Sequence, residues 1–221
     1  MPRIILIIVV TTISLVLCGV GVALPETVTV PGYSGTNPFN NMGTNSGGDV
    51  GLHLYANAPT TITGFDFYGQ GISTSSPDTI ELGTLSSDKK TLTVLNSMSI
   101  TSSTIKATGL SWSIAGAGDY YLVLVDPDSD VHGTYKAESS SIYPVNTGPG
   151  WTIEVVHGCY MHAVFGDGNQ LLDDLADYYR WYCFASITDA SSAIPLPPSA
   201  FLLGSGLIGL AVARLRKSWR K

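Results

Sequence analysis

Two long apolar runs bracket a chain whose middle alternates. One run covers Ile4–Val10 and Ile13–Val22, interrupted by two Thr, and the other is Ser199–Ala213, without a single charge. Between them, Gly64-Phe-Asp-Phe and Thr91-Leu-Thr-Val alternate at period 2, as strands with one wet face do, whereas Tyr121-Leu-Val-Leu-Val125 is apolar throughout, like a central strand. This pattern predicts strands over 26–30, 50–56, 61–68, 79–85, 91–96, 99–107, 120–126, 134–139, 152–157 and 182–187. All are short, rich in Thr, Val, Ile and aromatics, and separated by Gly, Ser, Asn, Asp and Pro clusters. The expected body is therefore an antiparallel β-sandwich, jelly-roll-like, over 24–187. A single helix is expected at Asn169–Tyr179. Gly32–Gly51 and 188–193 read as loose, linker-like chain.

The ends read as addresses. Met1-Pro-Arg3 supplies a positive charge, the first apolar run supplies a core, and Gly21 and Ala23 supply a small-x-small exit, the three parts of a secretory signal peptide cleaved after Ala23. An uncleaved anchor is the alternative, since Ile4 to Leu24 approaches the ~20 residues that span a bilayer. Cys18 also invites a lipoprotein reading, which the large Leu17 before it disfavours. At the other end Pro195, Leu196, Pro197 and Pro198 precede the second run, which as a helix would be ~22 Å long against a hydrocarbon core of ~30 Å. The basic tail Arg214, Arg216, Lys217, Arg220 and Lys221 should stop translocation and remain cytoplasmic.

Leu202-Leu-Gly-Ser-Gly-Leu-Ile-Gly-Leu210, set between that Pro motif and the basic tail, resembles the PEP-CTERM sorting signal of Gram-negative bacteria, in a Pro-Leu-Pro variant of its motif. The resemblance covers 194–221. It implies export, transient anchoring in the inner membrane, cleavage near Pro195 by an exosortase-type membrane peptidase, and retention at the outer cell surface or in exopolysaccharide. A plain tail anchor is the competing reading. Gly118-Asp-Tyr-Tyr-Leu-Val-Leu-Val followed by Gly133-Thr-Tyr resembles a closing hairpin of the β-sandwich bodies of such proteins, which implies a fold and no activity.

Charge sharpens this picture. Of the 221 residues only 13% are charged, and all 17 Asp and Glu lie between Glu26 and Asp189 with five basic residues among them. An acidic body lacks the basic patch that phosphate neutralisation needs, so no nucleic-acid partner is expected. Asp126, Asp128 and Asp130 stand at alternate positions after a strand and could offer oxygens to calcium, but Val131 and Ala137 replace the Gly and Glu that a full EF-hand loop requires. Calcium is the one cofactor considered, and an acidic solvated turn is the simpler reading. Cys159 and Cys183, the two cysteines left after signal cleavage, are expected to form a disulfide in an oxidising compartment. His157, Cys159 and His162, with Asp167 near, form a rival metal cluster of no standard zinc spacing. Asp173, Asp174 and Asp177 read as the wet side of the helix. No nucleophile elbow, phosphate loop or zincin motif is present, and the expectation is a protein without catalytic activity. Trp112, Tyr120, Tyr121, Trp151, Tyr178, Tyr179, Trp181 and Tyr182 include candidates for a sugar-stacking platform, at least half of them better suited to a core. A calcium-assisted carbohydrate-binding module and a secreted hydrolase with unassigned residues are the two alternative functions.

Overall fold

The computed structural model describes residues 25–39, 44–46, 49–70, 78–125, 132–138, 142–146, 148, 150–160, 172–173 and 179–190. The expected signal peptide, the expected sorting signal with Pro195 to Pro198, the basic tail, the aspartates 126, 128 and 130, and His162 and Asp167 all lie outside them. The described residues belong to one unit, Pro25–Ser192.

Every regular element described is a strand. One antiparallel sheet contains β1 (Glu26–Thr29), β2 (Thr44–Ser46), β4 (Thr60–Gln70), β7 (Thr104–Ile114), β9 (His132–Glu138), β13 (Tyr179–Tyr182) and β14 (Phe184–Ala190). The other contains β3 (Val50–Ala56), β5 (Asp78–Leu85), β6 (Leu92–Ile100), β8 (Gly118–Val125), β10 (Val145–Asn146), β11 (Ile153–Tyr160) and β12 (Leu172–Asp173). Alternation explains why they face each other. Val28, Ile62, Phe65, Phe67, Phe184 and Ile187 of the first sheet share one buried cluster with Leu52, Leu54, Ile80, Leu82, Leu122, Leu124 and Val155 of the second. Two antiparallel sheets with a common apolar interior are the arrangement of a β-sandwich. Most connections cross between the sheets, and β5–β6 is a local hairpin closed by Ser86, whose amide donates to Thr91 O at 2.9 Å.

β8 is central, between β3 and β5, as its unbroken apolar run predicts. Four expectations change. The residues described within the expected helix are strand: Leu172–Asp173 pairs with β11, and Tyr179 opens β13. The expected strands 91–96 and 99–107 are divided elsewhere, because Asn96 and Ser97, polar enough to read as a break, lie mid-strand in β6 opposite Leu82 and Glu81. The turn instead falls after Ile100. β8 and β9 form no hairpin, since β8 pairs with β3 and β5 while β9 pairs with β4, β13 and β2. Finally, the segment read as linker begins inside β14: Thr188 and Asp189 pair with Thr27 and Glu26 of β1. Phe39, within the loose stretch after Gly32, is likewise buried in the core.

Cys183 divides β13 from β14. Its φ of 49° is left-handed, uncommon for a residue with a Cβ. The kink lets its amide donate to Thr134 O on β9 (2.9 Å) while its carbonyl accepts from Tyr68 N on β4 (2.8 Å), so the chain changes partner strand there.

Candidate binding groove

The outer face of the first sheet carries a groove of about 460 Å³. Strand register builds its floor as two rows. Thr29 stands opposite Ser186, Ser186 opposite Asp66, and Asp66 opposite Lys106, a line across β1, β14, β4 and β7. Two residues along, Thr27 stands opposite Thr188, Thr188 opposite Gly64, and Gly64 opposite Thr108. Because side chains alternate across a strand, i and i+2 share a face, and both rows present their groups outward. Gly64 leaves the second row without a side chain beside Asp66. The backbones explain the glycine, since a Cβ there would lie 2.6 Å from Ala107 O.

Asp66 is the chemical centre. It is only 7% exposed. Its Oδ2 accepts the Tyr33 hydroxyl and lies 3.8 Å from Lys106 Nζ, whose side chain is mostly in solvent. The Asp66 carboxylate, reinforced by burial, holds the Tyr33 phenol well above its ordinary pKa, so it remains a donor at any physiological pH. Around this trio the hydroxyls are linked locally. Thr27 Oγ1 and Thr188 Oγ1 are 3.0 Å apart, and Thr63 Oγ1 donates to Thr188 O at 3.3 Å. The groove can offer one carboxylate acceptor, one amine donor, several hydroxyls that both donate and accept, and the Tyr33 ring as an apolar wall.

The second sheet's outer face is different in kind. His53 stacks on Tyr121 with centroids 4.6 Å apart, its Nε2 is 2.8 Å from Asp119 Oδ1, and the His157 ring lies 6.4 Å away. Tyr121, Val123 and Cys159 form a buried cluster there. His157 and Cys159 are thus on one side, as strand alternation predicts. Among the described residues no group of three His, Cys, Asp or Glu is placed to hold a metal ion.

The expected disulfide is corrected. Cys159 belongs to the outer cluster of the second sheet while Cys183 belongs to the cluster between the sheets, and both are buried thiols. Burial pushes the Cys183 thiol up to about 12. Most of the aromatics considered for a platform are core: Trp112, Tyr120, Tyr121, Trp181 and Tyr182 are buried. Trp151 is partly exposed and meets Tyr55 edge-on.

Sequence reasoning missed the trio of Tyr33, Asp66 and Lys106. Asp66 occupies the polar phase of Gly64-Phe-Asp-Phe, which marks it as outward, and Thr27 and Thr29 repeat at the same period. What brings Lys106 and Ser186 beside it is register between strands distant in sequence, which no local pattern contains.

Comparison with known protein families, characterised proteins and solved structures found no match.

Proposed function

We propose that this chain is an exported protein without catalytic activity, delivered by its amino-terminal signal, held briefly in the inner membrane by 199–213, processed near Pro195 by an exosortase-type peptidase, and retained at the cell surface or in exopolysaccharide. The observation that carries this reading is the order of three features along the chain: an apolar run at the start, an acidic strand-rich body, then a Pro motif, an apolar Leu/Gly run and a basic tail. The unit Pro25–Ser192 fits the same division, beginning just after the expected cleavage and ending just before the Pro motif. Jelly-roll-like winding of the body is supported by the repeated crossing of the chain between sheets. The groove's carboxylate is engaged by Tyr33 and Lys106, an arrangement suited to holding a ligand.

Intact-mass analysis of the protein from its native envelope tests the reading. The mature form should lack everything before Leu24 and everything after about Pro195. A surface form that retains Lys221 would overturn it.

A further inference from the structure

We propose that the groove on the first sheet is a binding site for an uncharged polysaccharide, filled without a metal ion, in which Asp66 accepts sugar hydroxyls, the two rows of Thr and Ser hydroxyls follow the chain, and Tyr33 packs on a sugar C–H face. Export is the setting of this inference and not its warrant, which is the geometry of the groove.

Three observations carry it. First, β14 and β4 are paired on both sides, so the floor offers a ligand side chains and not a free strand edge. Those side chains are hydroxyls, a carboxylate, an amine and a phenol. That set matches a polyol, whose hydroxyls donate and accept at close intervals and whose ring carries apolar C–H groups. Second, four strands at ~4.8 Å spacing extend each row over ~14 Å, which suits a segment of a glycan chain better than a single ion. Third, charge selects the class of glycan. Lys106 stands by Asp66 and offsets its charge, and the surrounding body holds 17 acidic residues against five basic ones between Glu26 and Asp189. Such a field repels uronic-acid polymers and is indifferent to neutral ones. Among the described residues, Tyr33 and Lys106 both meet the Asp66 carboxylate at Oδ2, and Oδ1 is the oxygen offered to ligand hydroxyls.

The test uses the full chain in a zwitterionic, sugar-free detergent. Cellohexaose, maltohexaose and laminarihexaose serve as neutral probes and alginate oligomers as the charged one, each titrated calorimetrically with and without chelator. At least one neutral oligomer should bind, with affinity unchanged by chelator. Asp66→Ala and Thr108→Arg should each weaken it about tenfold or more, the first by removing an acceptor and the second, at unchanged Tm, by filling the far row. Thr108 is exposed, so its substitution keeps the test valid even where Asp66→Ala disturbs folding. Failure to bind any neutral oligomer, binding only to alginate, loss of binding with chelator, or neutral binding that survives both substitutions would each overturn the proposal. None of these outcomes alters the processing measured by intact mass, so the two readings fail separately.

Discussion

The two outer faces of this sandwich obey the same period and reach opposite results. On the first sheet, outward positions of four adjacent strands are filled by Thr, Ser, Asp and Lys and open onto a groove. On the second, the outward positions of β3, β8 and β11 include His53, Tyr121, Val123 and Cys159, all buried. Alternation therefore fixes which residues share a face but not whether that face is wet. What decides is the chemistry of the off-phase residues, and β8, apolar in both phases, reveals in its sequence that both of its sides leave water.

Substitution on each face breaks or sharpens this contrast. Val123→Asp, on an outer face, should destabilise the protein by ~3 kcal/mol or more in denaturant unfolding, because it places a carboxylate where water is excluded. Thr188→Val, also on an outer face, should change stability by no more than ~0.5 kcal/mol. Equal costs would mean that the two faces do not differ.

Legibility in the sequence follows from the range of the interactions. β3 was readable to the residue, because Val50, Leu52, Leu54 and Ala56 carry the whole signal within seven positions. The strand-rich character of the body was readable for the same reason, except at Asn169–Tyr179, where a helix was expected and the described residues are strand. Less readable was the end of β6, where edge position leaves even Val94 and Leu95 45% exposed and polar residues cost nothing, so Asn96 and Ser97 resembled a turn. The break at Cys183 was hidden inside the apolar run from Trp181 to Ile187, since a left-handed φ at a cysteine has no compositional mark. Likewise the cysteine pair looked like a staple in one dimension, and only the assignment of each thiol to a different apolar cluster separates them.

The acids of the first sheet offer a second, smaller contrast. Asp66, on the outer side of β4, has Tyr33 and Lys106 as partners, whereas Asp189 of β14 is buried opposite Glu26. Burial first, and the Glu26 carboxylate after it, raise the Asp189 pKa, against the opposing pull of the Thr60 hydroxyl at 3.1 Å. A carboxyl whose folded pKa is raised favours the folded state at acid pH and loses that contribution as pH climbs through the folded value. Asp189→Asn should therefore raise Tm by ~2–4 °C at pH 7 and by nothing measurable near pH 3. Circular-dichroism melts at the two pH values decide it, and a gain that is the same at both would show that desolvated charge is not the cause.

Tyr33→Phe gives the most specific effect. It removes one hydrogen bond to Asp66 and leaves the ring as the wall of the groove, so the stability lost at pH 7 should be about 1 kcal/mol. The sign of its pH dependence follows from the raised phenol. In the folded chain Tyr33 stays protonated above its ordinary value of 10.0, whereas in the unfolded chain it ionises there, so its stabilising contribution is whole below pH 10 and fades above it. The gap between the two proteins in denaturant unfolding should accordingly narrow between pH 9 and about pH 11. The absence of any gap at pH 7 would mean that Tyr33 acts by packing alone, and Asp66 would then enter the groove with its charge shared only with Lys106 across 3.8 Å of largely solvent-exposed separation, a weaker anchor for any ligand.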